Sequence, residues 1–234
     1  KEPVTEFIAR GFPNTAILAV SALGLALLTG IPLGVVAAIK HNSWIDRFAM
    51  AFALLGVATP SFVLAPVLTL VLAVRMGWLP VGGFSLQEGL VDPATFILPT
   101  VVLAARSSAL IARLTRSAML DVLSQDFIRT ARAKGVRPLG VLFKHALRNA
   151  LSPILTVAGT TFGYLLSGSF VVETFFTIPG IGNQSITAIT ARDYPVIQGL
   201  ALLLAGIFVG VNLIVDILQG FVDPRARVSD QKAI

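Results

Sequence analysis

The sequence predicts an all-α, polytopic membrane helical bundle, and three observations carry that prediction. Of its 234 residues, 55% are hydrophobic and only 13% are charged, where an average soluble domain is roughly a quarter charged. The chain divides into charge-free runs long enough to cross hydrocarbon, for which about 20 apolar residues suffice. Basic residues collect in alternate connections between those runs, the pattern of loops retained on the cytoplasmic side. The net charge of +6 is therefore a topology signal, and no nucleic-acid partner is expected. With no cysteine in the chain, disulfides, thiol nucleophiles and cysteine metal sites are excluded.

Residues 1–13 are polar enough for an external lead-in segment; 14–221 read as one transmembrane domain and 222–234 as a cytoplasmic tail. The first span is placed at 14–39, inside the charge-free run from Gly11 to Ile39, which is more than enough for one tilted helix. Gly30, Pro32 and Gly34 make its second half compatible with close helix packing or with a functional bend, packing being preferred. The link Lys40 to Arg47 is short enough only for a turn between antiparallel helices. The second span, 48–74, is interrupted by Thr59-Pro60-Ser61 and by Pro66, and a proline inside a helix removes a hydrogen bond and kinks it. Trp78 suits the membrane interface where this span ends, and 81–92 reads as a Gly-containing loop.

Arg106 interrupts the third span, 93–112, which crosses only if its helix continues towards Arg113 and Arg116. The fourth, 150–172, carries a small-residue stripe of Thr156, Gly159, Thr160, Gly163 and Ser167. Gly159 and Gly163 have the spacing that lets two helices approach closely. Beyond it the chain leaves the membrane, with turn chemistry at Pro179–Gly182 and Asn183 placed to cap a short helix through Thr190. The fifth span is 196–218. Alternation puts the 40–47 link, the 113–149 loop and the tail on one side with 13 of the Lys and Arg residues. The other side has Lys1, Arg10, Arg75 and Arg192. The long loop is therefore cytoplasmic and the first span starts outside.

That loop is the one long basic interruption. From Asp121 to Pro153 it carries Arg129, Arg132, Lys134, Arg137, Lys144 and Arg148 against Asp121 and Asp126. It reads as two amphipathic helices with a hinge. Leu120, Leu123, Phe127 and Ala131 recur at helical steps opposite Asp121, Gln125 and Arg132. Gly135 ends the first helix, because glycine enters the left-handed position without a Cβ penalty. Pro138 suits the first turn of the second, which repeats the stripe with Leu139, Leu142, Phe143, Ala146 and Leu147. Two apolar stripes on a basic loop need a protein surface to dock on.

RTARAKG followed by VLFKHALRNALSP resembles the Glu-Ala-Ala loop of ATP-binding-cassette importer permeases, in the variant of the dipeptide, oligopeptide and nickel branch. Arg129 stands at the Glu position and Thr130 at the first Ala; Ala131 and Gly135 match the general pattern. ARDYPVIQG and DPRAR add to the likeness. The resemblance implies a B-type permease subunit with a type-1 transmembrane domain and a sixth, N-terminal span missing from this chain. Its partners would be a homologous permease in a heterodimer, two cytoplasmic ATPases, an external substrate-binding protein and the lipid bilayer. ATP and Mg would sit in the ATPases, and this chain would bind no cofactor. Leu123, Phe127, Arg129, Thr130, Ala131, Lys134, Gly135, Leu139 and Phe143 would then couple to an ATPase. Di- or oligopeptides are the expected cargo, with nickel or another small solute as the alternative.

Other chemistries find little support. No GxxxxGK[ST] segment is present, so there is no phosphate-cradling loop of that type. His41 and His145 are far apart and in no HExxH helix. No acid pair lies in the spans, which argues against intramembrane aspartyl proteolysis and against a proton-coupled secondary carrier. Arg106 and Asp216 are the ionisable groups at membrane depth. They are expected to pair, to line the path together with Gly159, Gly163 and Ser167, or to snorkel to the cytoplasmic interface.

Overall fold

The structure, a computed structural model, describes residues 3–82 and 93–222. The 83–92 part of the expected external loop, the tail with Arg225, Arg227 and Lys232, Lys1, and the Ser167 side chain lie outside the described residues. Helices and short connections make up everything described, with no strand. Helix α1, Val4–Ile39, runs unbroken through Pro13 and Pro32. The polar lead-in is thus the first part of the helix. Its Val4, Phe7, Ile8 and Phe12 lie at helical spacing and pack with Ile181, Val196 and Leu200, a stripe that Glu6 and Arg10 hide in a charge count.

The core is built on α1 against α4, Pro93–Leu123. Leu18, Ala22 and Ala26 share one buried cluster with Leu98, Val102 and Ile111. Gly30 and Gly34 set how closely the helices approach: a Cβ at Gly30 would stand 2.7 Å from the Ser108 carbonyl oxygen, and one at Gly34 2.5 Å from that of Ala112. Both are below any ordinary contact. The GIPLG segment is a packing device, and Pro32 does not break the helix.

The expected second span is two helices. Helix α2, Trp44–Ala58, and helix α3, Ser61–Leu68, with its π-helical continuation Thr69–Arg75, meet at a bend of 106°. Thr59 and Pro60 are both extended, as the clash of a proline ring with its preceding residue favours. Each arm of 15 residues reaches about 22 Å, short of the ~30 Å of hydrocarbon. By length and composition the two arms together make one broken span. Asp46 in its first turn lies beside Arg116, and past its end a Cβ at Gly82 would stand 3.1 Å from the Phe176 carbonyl oxygen.

Helix α4 does continue past Arg106, Arg113 and Arg116, as a crossing requires, and it stops only at Leu123. Ser124 donates to the Asp121 carbonyl at 2.8 Å, and Gln125 is extended ahead of α5, Asp126–Ala133. The expected first loop helix is therefore divided: Leu120 and Leu123 end α4, while Phe127 and Ala131 belong to α5. The second loop helix does not stand alone either. Helix α6, Pro138–Gly140, the π-helical turn Val141–Leu147 and α7, Arg148–Phe175, follow without a break, since Val141 and Arg148 keep right-handed helical angles. Helix α8, Ile181–Thr190, and α9, Tyr194–Val222, complete the chain. Three helices alone, and five spans if each bent pair counts once, are long and apolar enough to cross a membrane. Large apolar side chains stay exposed on α2 (Phe48, Phe52, Leu55) and α9 (Leu202, Val209, Leu213). Such a surface suits lipid.

Candidate functional site

The cytoplasmic end carries the loop on which the sequence analysis centred. Helix α5 ends in a Schellman motif: Val136 N–H donates to the Ala131 carbonyl at 3.2 Å and Gly135 N–H to that of Arg132 at 3.0 Å. Gly135 holds φ +74°, as the hinge requires. Below it, Ile128 and Ala131 are buried in one cluster with Ala38, Met119, Val141 and Ala146, and Leu123 packs against that cluster. Ala131 and Leu123 therefore anchor the loop to its own bundle and do not face outward. Phe127, Leu139 and Phe143 do, being 39%, 70% and 57% exposed. Arg129, Arg132 and Lys134 of the same loop are exposed as well. Thr130 donates to the Asp126 carbonyl at 3.0 Å, and the 3.4 Å contact of Arg129 with Asp126 is a solvated pair of little energetic weight.

The loop stands on a second fixed point. Asp46 is buried in the first turn of α2 and accepts from Arg116 Nε at 2.6 Å and Nη2 at 2.8 Å, and from Asn42 N–H at 2.9 Å. Arg116 also donates to His41 Nδ1 at 3.1 Å. Ser43 caps α2 by accepting from Asp46 N–H at 3.4 Å. A two-pronged guanidinium–carboxylate pair of this kind fixes orientation as well as distance, so the 40–47 link and the lower part of α4 move together. Sequence reading gave Arg116 to topology and span length alone and did not single out Asp46.

At membrane depth, Arg106 and Asp216 are not brought together; they form no ion pair. Asp216 is exposed on α9. Arg106 opens into a cleft of about 470 Å³ between the Thr59–Ser61 break, α4 and α7. Gly159 and Gly163 serve packing: a Cβ at either would collide with Val215 or Phe208 of α9.

The outer end holds a residue that sequence reading did not single out. Glu173 is fully buried. Its Oε1 accepts from Thr15 Oγ1 at 2.7 Å, and its Oε2 accepts from Gly182 N–H at 2.7 Å and Asn183 N–H at 3.1 Å. Ile181 N–H donates to Thr15 Oγ1 at 2.9 Å. The carboxylate thus caps α8, where Gly180 is the N-cap residue in place of the expected Asn183, and ties α1, α7 and α8 at one point. A side chain at Gly182 would place its Cβ 2.7 Å from Glu173 Oε2. The signal was an acid at the end of a span followed by Pro-Gly-x-Gly, read only as a turn.

Comparison with known proteins bears on family and fold. The family described as binding-protein-dependent transport system inner membrane component matches residues 30–228. The dipeptide transport system permease protein DppB of Bacillus subtilis (strain 168) is 42% identical over 227 residues, covering 97% of this chain and 72% of the relative. A putative peptide transport system permease of Brucella abortus (strain 2308) is 46% identical over 228 residues, 97% of this chain and 73% of the relative. The glutathione transport system permease protein GsiC of Salmonella paratyphi A is 42% identical over 97% of this chain and 72% of its own length. Among solved structures, the inward-facing MetNI methionine ABC transporter superposes with a TM-score of 0.80 at 19% identity, covering 95% of this chain and 99% of that one. That likeness shows the fold.

Proposed function

The chain belongs to the binding-protein-dependent transport system inner membrane component family, and on that premise we propose that it carries di- or oligopeptides inward. It is a multi-pass permease subunit of an ATP-binding-cassette importer in the cell membrane. The reading gives it a homologous permease as the other half of the pathway, an external receptor that delivers cargo, and two cytoplasmic ATPases that hold ATP and Mg. Relatives named for dipeptide, peptide and glutathione transport support the cargo class.

The observation that carries the coupling is the division of labour on the loop. Ile128 and Ala131 lock α5 to the bundle, while Phe127, Leu139 and Phe143 are left uncovered on a loop with exposed cations. An ATPase surface with an apolar pocket and an acidic rim would complement them. Leu139 and Phe143 lie on a helix continuous with α7. When the ATPases change arrangement, a shift at that end travels along the helix to Thr161 in the cleft. The spans then exchange between inward- and outward-open states, each favoured by the nucleotide state that fits it better.

The test is to purify the complex from membranes through a tag on this chain and reconstitute it in proteoliposomes. An ATPase should co-purify, and loaded receptor with ATP should drive uptake of a labelled dipeptide. A chain that purifies without any ATPase, or a complex that hydrolyses ATP yet takes up no peptide, overturns the reading.

A further inference from the structure

We propose that Arg106 binds the terminal carboxylate of a peptide in transit, in a subsite formed by the Thr59–Ser61 break, α4 and α7. The inference rests on the peptide reading above and assigns the cleft a ligand.

The first support is depth. Arg106 follows Pro93 by thirteen residues and precedes Arg116 by ten, about 20 Å and 15 Å along a helix. Arg116 is fixed at the cytoplasmic edge by Asp46, so Arg106 stands well inside the bilayer, too deep for its side chain to reach the interface. The second is direction. Arg106 lines the cleft and is exposed, with no hydrogen bond or ion pair to any described residue. An ionised group at this depth is costly unless it meets water or an opposite charge, so an arriving anion is stabilised.

The third is the company it keeps. Thr59, Ser61, Ser107, Thr161 and Tyr164 are the hydroxyl-bearing residues of a lining otherwise made of apolar residues and Pro60. A planar guanidinium offers two parallel donors to a carboxylate. No acidic residue lines the cleft. It is built for the anionic end of a zwitterion, and it repels a bare divalent cation. Every linear peptide ends in one carboxylate whatever its side chains, so such a contact recognises the class and leaves sequence to the receptor.

The test uses the whole reconstituted complex. Dialanine and dialanine amide are the probes, and each variant is compared with wild type on the same loaded receptor, so that receptor preference cancels. Arg106→Gln should lower dialanine uptake about tenfold or more, the loss of one charge-assisted contact, while leaving the much smaller amide uptake unchanged. Arg106→Lys should fall between. A Leu110→Cys reporter on the cleft wall, in a chain that has no other cysteine, gives a readout independent of the receptor. Dialanine should protect it from a maleimide, the amide should not, and Arg106→Gln should abolish the difference. Equal loss of both probes, equal protection by both, or unchanged dialanine uptake in Arg106→Gln would each overturn the assignment. A wild-type complex that takes up neither probe would instead remove the peptide reading itself, and this inference with it.

Discussion

Replacing Gly135 isolates the geometry of the coupling loop from its packing. The residue holds φ +74°, and a Cβ built there meets nothing within 4 Å. Steric crowding within this chain therefore contributes nothing to the effect of a substitution; the backbone contributes all of it. Asparagine visits the left-handed region readily, alanine is disfavoured there by roughly 1–2 kcal/mol, and a β-branched valine is worse. The Schellman bonds from Val136 and Gly135 to the end of α5 hold only in that conformation. An alanine penalty of about 1.4 kcal/mol corresponds to roughly a tenfold shift of the equilibrium away from the loop arrangement with Phe127 and Leu139 correctly placed. Reconstituted Gly135→Asn should therefore retain near wild-type uptake and receptor-stimulated ATP hydrolysis. Gly135→Ala should lose up to about tenfold, and Gly135→Val more. Membrane insertion should be unchanged in all three, because no span is touched. If Gly135→Val matches wild type in both stimulation and uptake, the loop geometry does not govern coupling and the reasoning fails.

Glu173→Ala would leave the Gly182 and Asn183 N–H groups and the Thr15 hydroxyl without their acceptor, at about 1–3 kcal/mol for each group left unsatisfied. The detergent-solubilised complex should melt at a clearly lower temperature, Glu173→Gln should be milder, and an unchanged melting curve for the alanine variant would contradict the lock. Asp46→Ala strands Arg116, whose side chain is 23% exposed and reaches water, so the loss should stay below the roughly 3–5 kcal/mol of a broken, fully buried pair. Adding Arg116→Leu should restore part of the thermal stability, whereas strictly additive losses would show the two residues to be uncoupled. A single cysteine at exposed Ser124 should react with an impermeant thiol reagent only from the cytoplasmic side, and one at exposed Thr187 only from outside; either result reversed would invert the topology.

What the sequence determined by itself is what short-range physics can encode. Charge-free runs flanked by basic connections specify helices that cross a bilayer and the side on which each loop stays, because hydropathy and the positive-inside bias act on each segment alone. Gly135 and Pro138 were legible for the same reason: each answers a local backbone requirement. Even the fate of the α4 helix past Arg106 followed from the length a crossing demands. The helical stripe of Phe7, Ile8 and Phe12 was also present in the sequence, and only its charged neighbours obscured it.

Tertiary structure decided what each of those elements faces. Ala131 and Phe127 sit in one amphipathic helix, yet the first is buried on its own bundle and the second is left for a partner, a choice made by Ala38, Met119 and Val141 from three other segments. Whether Thr59-Pro60 would kink a helix or turn it through 106° depended on what the two arms pack against. Glu173 and Thr15 are 158 positions apart, and Asp46 and Arg116 are 70 apart, so no window along the chain could pair them. A carboxylate at the end of a span looks like a solvated acid until the fold removes its water and supplies three donors. Arg106 is the converse case: its depth is written in the sequence, but the cleft it faces exists only once α3, α4 and α7 meet.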